Sequence, residues 1–226
     1  MNVTLSRMID HTLLKASATV AEIEKVCAEA LQYGFASVCV NSSYIRLVSQ
    51  KLDGSKVKPI CVVGFPLGAM ATECKIFETQ FALNQGAQEI DMVMDVGAAK
   101  SGNWQRVQND IEAVVQTASP FVVKVILEIA YLTPEEITKA CLVAKASRAA
   151  FVKTSTGFAP SGATVEAVSL MRKTVGSEIG VKASGGIRTT EDAEKMIAAG
   201  ANRLGTSNSV EIVLGQKDVK SESQEY

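Results

Sequence analysis

Histidine is almost absent from this chain, since His11 is the only one among 226 residues. This excludes a metal site built from several histidines and argues against a Ser-His-Asp triad. The period-two pattern of its strand turns His11 away from the polar face, which predicts a packed, hydrogen-bonded side chain. An enzyme with this composition must therefore do its acid–base chemistry mainly with carboxylates and lysines.

Paired cysteines and long apolar runs are missing as well. The five cysteines are an odd number, widely spaced and without a Cys-x-x-Cys pair, which argues against a disulfide framework and a zinc site. No run of about 18 apolar residues occurs, and residues 1–15 lack the apolar segment of a signal peptide. We therefore expect a cytoplasmic protein that spans no membrane.

Charge of one sign does not dominate either. The chain has 23 Lys and Arg against 24 Asp and Glu, so no broad field would gather nucleic acid or an anionic membrane. Any bound phosphate should be small and held locally. A hydrophobic content of 47% supports one domain with a large core, residues 1–214. The polar composition of residues 215–226 predicts a flexible tail.

Short β-rich segments alternate with longer amphipathic ones at the spacing of a βα unit. Eight such repeats predict a single (β/α)8 TIM barrel. A doubly wound open sheet is the alternative, but the Gly-x-Gly-x-x-Gly fingerprint that would support it is missing after the first strand. The predicted strands are residues 8–12, 36–41, 59–65, 89–96, 122–128, 150–156, 180–184 and 203–206.

Several of these strands carry charges where buried barrel strands should be apolar. The period-two pattern turns the apolar residues toward the helices and the polar residues into the barrel. The inward set is Asp10, Asp91, Lys124, Glu128, Lys153 and Lys182. A purely structural network of ion pairs is one interpretation. A protein with apolar residues in place of buried ion pairs is often equally stable, so stability alone is a poor reason to keep six buried charges. Their number favours a functional site.

Lys153 and Lys182 lie on consecutive predicted strands, which are neighbours about 4.8 Å apart in a barrel. Two ammonium groups this close cannot both stay charged at ordinary cost, so one loses its proton more readily. The resulting amine is a nucleophile suited to Schiff-base formation with an aldehyde or ketone.

Glycine-containing segments follow the last strands, at the end where barrel enzymes commonly bind phosphate. They are residues 184–188 (SGGIR) and residues 205–208 (GTSN), the latter ahead of a short predicted helix. Glycine allows the backbone to approach a phosphate closely, and Arg188 and Ser207 offer further donors. Thr156 and Gly157 are predicted to close a third side.

Five segments carry a family resemblance: residues 9–14 (IDHTLL), 37–41 (SVCVN), 89–93 (EIDMV), 151–158 (FVKTSTGF) and 181–188 (VKASGGIR). Together they resemble class I deoxyribose-phosphate aldolases. The resemblance implies a barrel enzyme without metal or other cofactor, acting on small phosphorylated sugars and short aldehydes. Its reaction would be the reversible cleavage of 2-deoxy-D-ribose 5-phosphate to acetaldehyde and D-glyceraldehyde 3-phosphate, in deoxyribonucleotide catabolism.

The resemblance also implies roles for individual residues. Lys153 would form the Schiff base, Lys182 would perturb its acidity, and Asp91 would donate and accept protons. For Tyr226 two interpretations stay open: it could be the disordered end of the polar tail, or, as the resemblance implies, it could fold over the barrel mouth and shuttle a proton. The predicted phosphate-holding residues are Gly157, Gly185, Gly186, Gly205 and Ser207. The other predicted substrate-binding residues are Asp10, Thr12, Cys39, Thr156, Arg188 and Asn208, with Cys39 as a pocket wall.

Two other interpretations stay open at the level of sequence. The chain could be another Schiff-base barrel aldolase or transaldolase that uses a different phosphorylated sugar, or a phosphosugar-binding regulatory module without turnover. The oligomeric state is open too, with a homodimer as the candidate because barrels of this size often dimerise.

Overall fold

The computed structural model describes residues 3–215. Eight parallel strands pair in sequence order and close into a barrel, because β8 pairs with β1. This confirms the predicted (β/α)8 TIM barrel and excludes the open sheet. The strands are β1 Ile9–Leu13, β2 Ser37–Val40, β3 Lys58–Val63, β4 Glu89–Val93, β5 Val122–Ile126, β6 Phe151–Lys153, β7 Gly180–Ser184 and β8 Arg203–Thr206.

Helices alternate with the strands and surround them. Three of them begin with a capping box, in which Thr19, Thr133 or Thr189 exchanges hydrogen bonds with the acidic residue three positions later. No helix of residues 3–215 is long and apolar enough to cross a membrane. The helices are α1 Val3–Ser6, α2 Val20–Tyr33, α3 Ile45–Lys51, α4 Thr72–Asn84, α5 Val96–Lys100, α6 Trp104–Ala118, α7 Pro134–Ala146, α8 Val165–Val175, α9 Thr190–Ala198 and α10 Ser209–Leu214.

Within β5 and β6 the two faces divide as the sequence predicts. Apolar residues such as Val123, Val125 and Val152 belong to one large buried cluster between strands and helices. A separate small cluster of Leu14, Cys39, Ile60 and Val62 does not join that core. Because Cys39, Ile60 and Val62 alternate with core residues on β2 and β3, they face the barrel interior.

The single histidine packs as predicted. The Nδ1 atom of His11 lies 2.8 Å from the Ser209 hydroxyl, and its Nε2 atom lies 2.9 Å from the Glu29 carboxylate. These contacts tie β1 to α10 and α2, on the outer side of the barrel.

The prediction for Glu128 is wrong. Strand β5 ends at Ile126, and Glu128 takes a left-handed φ of 57° that breaks the period-two alternation. Its carboxylate accepts hydrogen bonds from the Thr156 backbone N–H, at 3.2 and 3.3 Å, and from the Thr156 hydroxyl. Glu128 therefore does not pair with the lysines of the barrel interior.

Candidate active site

Asp91 is the centre of the charged barrel interior. It is fully buried on β4 and contacts three lysines from three other strands. The Nζ atoms of Lys153 and Lys182 each lie 2.8 Å from its Oδ2 atom, and Nζ of Lys124 lies 2.9 Å from Oδ1. The structure thus brings together Asp91, Lys153 and Lys182, the three predicted catalytic residues.

A second carboxylate, Asp10 on β1, binds the same lysine from the other side. Its Oδ2 atom lies 2.5 Å from Nζ of Lys182, and its Oδ1 atom accepts from Arg203 Nε at 2.6 Å and from the Ser37 hydroxyl at 2.5 Å. The Thr12 hydroxyl donates to the Asp10 carbonyl at 2.8 Å. Asp10 is therefore placed to hold Lys182.

Two charged residues of this interior are missing from the sequence prediction, namely Glu89 and Arg203. The Oε2 atom of Glu89 accepts from Lys124 at 2.5 Å and from Arg203 at 3.1 Å. Its Oε1 atom lies 2.9 Å from Nζ of the half-exposed Lys58. Glu89 shares a strand face with Asp91, so the period-two rule would have found it. We call Asp10, Glu89, Asp91, Lys124, Lys153, Lys182 and Arg203 the barrel ion network.

The network treats its two paired lysines differently. Burial lowers the pKa of Lys153, and the neighbouring ammonium of Lys182 lowers it further, while Asp91 only partly opposes this. Burial would also lower the pKa of Lys182, but the carboxylates of Asp10 and Asp91 outweigh it and raise that pKa above its ordinary value. Lys153 is therefore the amine that gives up its proton, as Schiff-base chemistry requires.

The pKa values of Asp91 and of the nearby Cys39 thiol shift in the directions that their surroundings predict. Burial would raise the pKa of Asp91, yet Lys124, Lys153 and Lys182 hold it well below its ordinary value. Burial raises the pKa of Cys39 to about 11, with a further contribution from Asp91. Cys39 is thus a neutral thiol in the interior wall, which fits a pocket wall better than a nucleophile.

The predicted phosphate segments meet at the carboxyl ends of β6, β7 and β8. Gly157, Gly185 and Gly186 have φ values of 91°, 83° and 78°, which favour glycine. A Cβ atom on Gly185 would lie 3.0 Å from the Cα of Gly162 and 3.6 Å from that of Gly157. The loops after β6 and β7 therefore touch, and side chains at these positions would separate them.

The remaining predicted residues lie around this region or outside the described chain. Ser207 and Arg188 are exposed, and the Asn208 backbone N–H donates to the Thr206 hydroxyl at 3.0 Å. Gly205 has a role that sequence reasoning missed, since a Cβ atom there would lie 3.0 Å from Cε of Lys182. Tyr226 lies outside the described residues, as do the other residues after 215.

A further buried lysine lies outside the barrel interior. Lys75 on α4 is fully buried, and its Nζ atom lies 2.6 Å from Asp110 of α6 and 2.9 Å from the Val93 carbonyl. No sequence pattern singles out this pair, because each is a single charged residue within a helix and the two are far apart in the chain.

A (β/α)8 barrel with a lysine of lowered pKa beside a buried aspartate is typical of barrel enzymes whose site lies at the carboxyl ends of the strands. The profile described as "DeoC/LacD family aldolase" matches residues 4–209. The chain therefore belongs to the DeoC/LacD aldolase family.

Similar proteins agree with this assignment. The chain is 58% identical to the "Deoxyribose-phosphate aldolase" of Clostridium novyi (strain NT), over 94% of this chain and 96% of that protein. It is 55% identical to the protein of the same name from Thermoanaerobacter sp. (strain X514), over 92% and 95%. Among solved structures, the tetrameric deoxyribose phosphate aldolase from Aeropyrum pernix matches with a TM-score of 0.88 and 33% identity, over 93% of this chain and 89% of that one.

Proposed function

We propose that this protein catalyses the reversible aldol cleavage of 2-deoxy-D-ribose 5-phosphate to acetaldehyde and D-glyceraldehyde 3-phosphate, through a Schiff base on Lys153. The contact that carries the proposal is the sharing of Asp91 Oδ2 by Lys153 and Lys182, each at 2.8 Å. The names of the relatives at more than 50% identity support the choice of sugar.

The first half of the reaction makes the imine. The neutral amine of Lys153 attacks the C1 aldehyde of the open-chain sugar and forms a carbinolamine. Asp91 and Lys182 supply and remove protons there, so the carbinolamine loses water and becomes a protonated imine. Proton transfers by positioned groups of this kind contribute roughly 10²–10⁴-fold to the rate.

The second half breaks the carbon–carbon bond. The C3 hydroxyl loses its proton, the C2–C3 electron pair moves into the imine, and glyceraldehyde 3-phosphate leaves. The remaining enamine takes a proton at C2, and water then hydrolyses the imine to release acetaldehyde and restore the amine of Lys153. In this proposal Tyr226 delivers the C2 proton, so a Tyr226→Phe variant should slow hydrogen–deuterium exchange at C2 of acetaldehyde.

The phosphate of the substrate provides binding energy far from the reacting carbons. We place it on the loops after β6, β7 and β8, with Thr156, Gly157, Gly185, Gly186, Gly205, Ser207, Arg188 and Asn208 as its surroundings. The positive φ of the glycines and their close packing support this placement, because backbone N–H groups can then approach the phosphate. We also propose a cytoplasmic location and a homodimer. The five cysteines are all free in the described chain, which suits a reducing compartment.

Two measurements on one protein test the reaction. The first is turnover of 2-deoxyribose 5-phosphate, followed by coupled detection of glyceraldehyde 3-phosphate. The second is reduction with borohydride in the presence of acetaldehyde, followed by peptide mass analysis. We expect turnover and a stable adduct on Lys153, with both lost in Lys153→Ala.

The equally buried Lys75 is an internal control, since it should stay unmodified in the same sample. An adduct that survives Lys153→Ala would overturn the assignment of the nucleophile. Turnover of a different phosphorylated sugar in place of this one would favour another Schiff-base aldolase, and binding without an adduct would favour a regulatory module.

A further inference from the structure

Six members of the barrel ion network form a closed ring in which charges alternate. Lys124 bridges Asp91 and Glu89, at 2.9 and 2.5 Å. Arg203 bridges Glu89 and Asp10, at 3.1 and 2.6 Å. Lys182 closes the ring from Asp10 back to Asp91, at 2.5 and 2.8 Å.

Lys153 is the one member outside this ring. It touches a single ring carboxylate, Asp91, whereas each cationic member of the ring touches two. The three ring carboxylates are already balanced by Lys124, Lys182 and Arg203. A proton on Lys153 would therefore leave one unmatched positive charge in a buried site, which is costly at low dielectric.

We propose that the ring is what keeps Lys153 unprotonated, and that Glu89 and Arg203 act as positioning residues for this nucleophile although neither touches it. This proposal depends on the proposed function in one respect, namely that the neutral amine of Lys153 serves as the nucleophile of the aldolase reaction. Glu89 lies two residues before Asp91 on β4, roughly 6.6 Å nearer the amino-terminal end of the barrel. Both residues act through the charge that they add to the ring.

The other titratable groups that face Lys153 do not complete a counter-charge for it. Glu128 contacts Thr156 and forms no ion pair with Lys153, and burial raises its pKa, so it is a weaker counter-charge than Asp91. Cys39 is a neutral thiol because burial raises its pKa. Lys58 reaches Glu89 from a half-exposed position, where solvent screens its charge. The charged and titratable groups that act directly on Lys153 are Cys39, Asp91, Glu128 and Lys182. Lys124 and Asp10 follow behind them, through their contacts with Asp91 and Lys182.

The ring makes opposite predictions for its two distant members. Arg203→Met removes a positive charge, so Lys153 should hold its proton to higher pH. Glu89→Gln removes a negative charge, so Lys153 should lose its proton at lower pH. Each shift should be on the order of one pH unit, as expected for a unit charge about 10 Å away at an effective dielectric constant of about 20.

The protonation of Lys153 can be followed without any aldolase turnover. Reductive methylation by formaldehyde and a borane reductant proceeds through the neutral amine, and the Lys153 peptide reports its rate by mass spectrometry. The midpoint of that rate against pH is compared in the wild-type chain and in both variants. The exposed Lys173 serves as the control, and its midpoint should not move.

Further variants keep the test decisive. Arg203→Lys keeps the positive charge and should restore the wild-type midpoint. The double variant Glu89→Gln with Arg203→Met keeps the ring neutral and should return the midpoint toward the wild-type value. It can be measured in place of a single variant that folds poorly. Shifts of both folded single variants in the same direction, or no shift in either, would overturn the proposal.

The outcome also separates this proposal from the proposed function. Opposite midpoint shifts without turnover of 2-deoxyribose 5-phosphate would support the ring and reject the substrate assignment. Normal turnover with unmoved midpoints would support the aldolase and reject the ring as the cause of the neutral amine.

Discussion

Lys153 and Lys182 are register partners on the adjacent strands β6 and β7, and their Nζ atoms lie at the same distance, 2.8 Å, from one oxygen of Asp91. The two amines differ in what else they touch. Lys182 has a second carboxylate, Asp10, at 2.5 Å, whereas Lys153 has Asp91 alone among the carboxylates of the ring. The second carboxylate therefore helps decide which lysine keeps its proton and which gives it up more readily.

Replacing Lys182 with leucine should reduce both turnover and stability. The sequence alone predicts little loss of stability, because a leucine is readily buried. The contacts change this expectation, since Lys182→Leu leaves Asp10 and Asp91 short of a positive partner. Breaking a buried pair in this way costs about 3 kcal/mol, and turnover should fall by at least about 10²-fold.

Urea unfolding and steady-state turnover measure the two effects of Lys182→Leu. Lys182→Arg is the matched control, because it keeps the charge and should lose less stability. Near-normal turnover in a folded Lys182→Leu protein would show that Lys182 is only structural.

Asp91→Asn should nearly abolish turnover. The variant removes the carboxylate that both lysines share, so we expect a loss of roughly 10²–10⁴-fold in kcat. Because Asp91 raises the pKa of Lys153, the acid limb of the pH–rate profile should also move to lower pH. Asp110→Asn is the control, since this buried carboxylate also binds a lysine, Lys75, but outside the barrel interior. A similar loss of kcat in both variants would contradict a chemical role for Asp91.

Gly186→Ala should weaken the binding of phosphorylated substrate. Gly186 has a φ of 78°, and within residues 3–215 an added Cβ atom would meet nothing within 4 Å. The backbone cost should be about 1 kcal/mol, and the shifted loop should raise KM about tenfold with little change in kcat.

Gly176→Ala is the matched control for Gly186→Ala. Gly176 has a φ of 72° and the same open surroundings, but it lies at the carboxyl end of α8. It should lose at least as much stability, because its ψ of −150° lies outside the left-handed helical region, but without a change in KM. Unphosphorylated 2-deoxyribose should show no difference between the two variants, and a KM increase for that sugar would argue against a phosphate site.

Acid should unfold the protein through its buried carboxylates. Despite burial, Lys124 and Arg203 hold the pKa of Glu89 below its ordinary value, and the pKa values of Asp10 and Asp91 are lowered as well. Groups with a depressed folded-state pKa stabilise the protein above their unfolded value, about 4, and lose that contribution as the pH falls further. The free energy of unfolding in urea should therefore decrease steadily below about pH 4. Asp10→Asn should show a smaller decrease, and an unchanged slope would refute this contribution.

The sequence predicts the eight strands, the barrel and the lysines of the site, because period-two alternation on consecutive strands is a local property. It fails at Glu128, where a left-handed residue ends the alternation and turns the carboxylate to Thr156. It also leaves Glu89 and Arg203 unassigned, although they share strand faces with Asp91 and Gly205.

By itself the sequence determined the fold class, the inward face of the strands that carry the buried lysines and aspartates, and the adjacency of Lys153 and Lys182, since these follow from local periodicity and from the adjacency of successive parallel strands. Only the tertiary structure decided the contacts across the closed barrel, such as Asp91 of β4 with Lys182 of β7. Those contacts set the charge balance, and the charge balance decides which amine is neutral. The physical reason is that electrostatic energy depends on distances through the barrel, which only barrel closure and strand register determine.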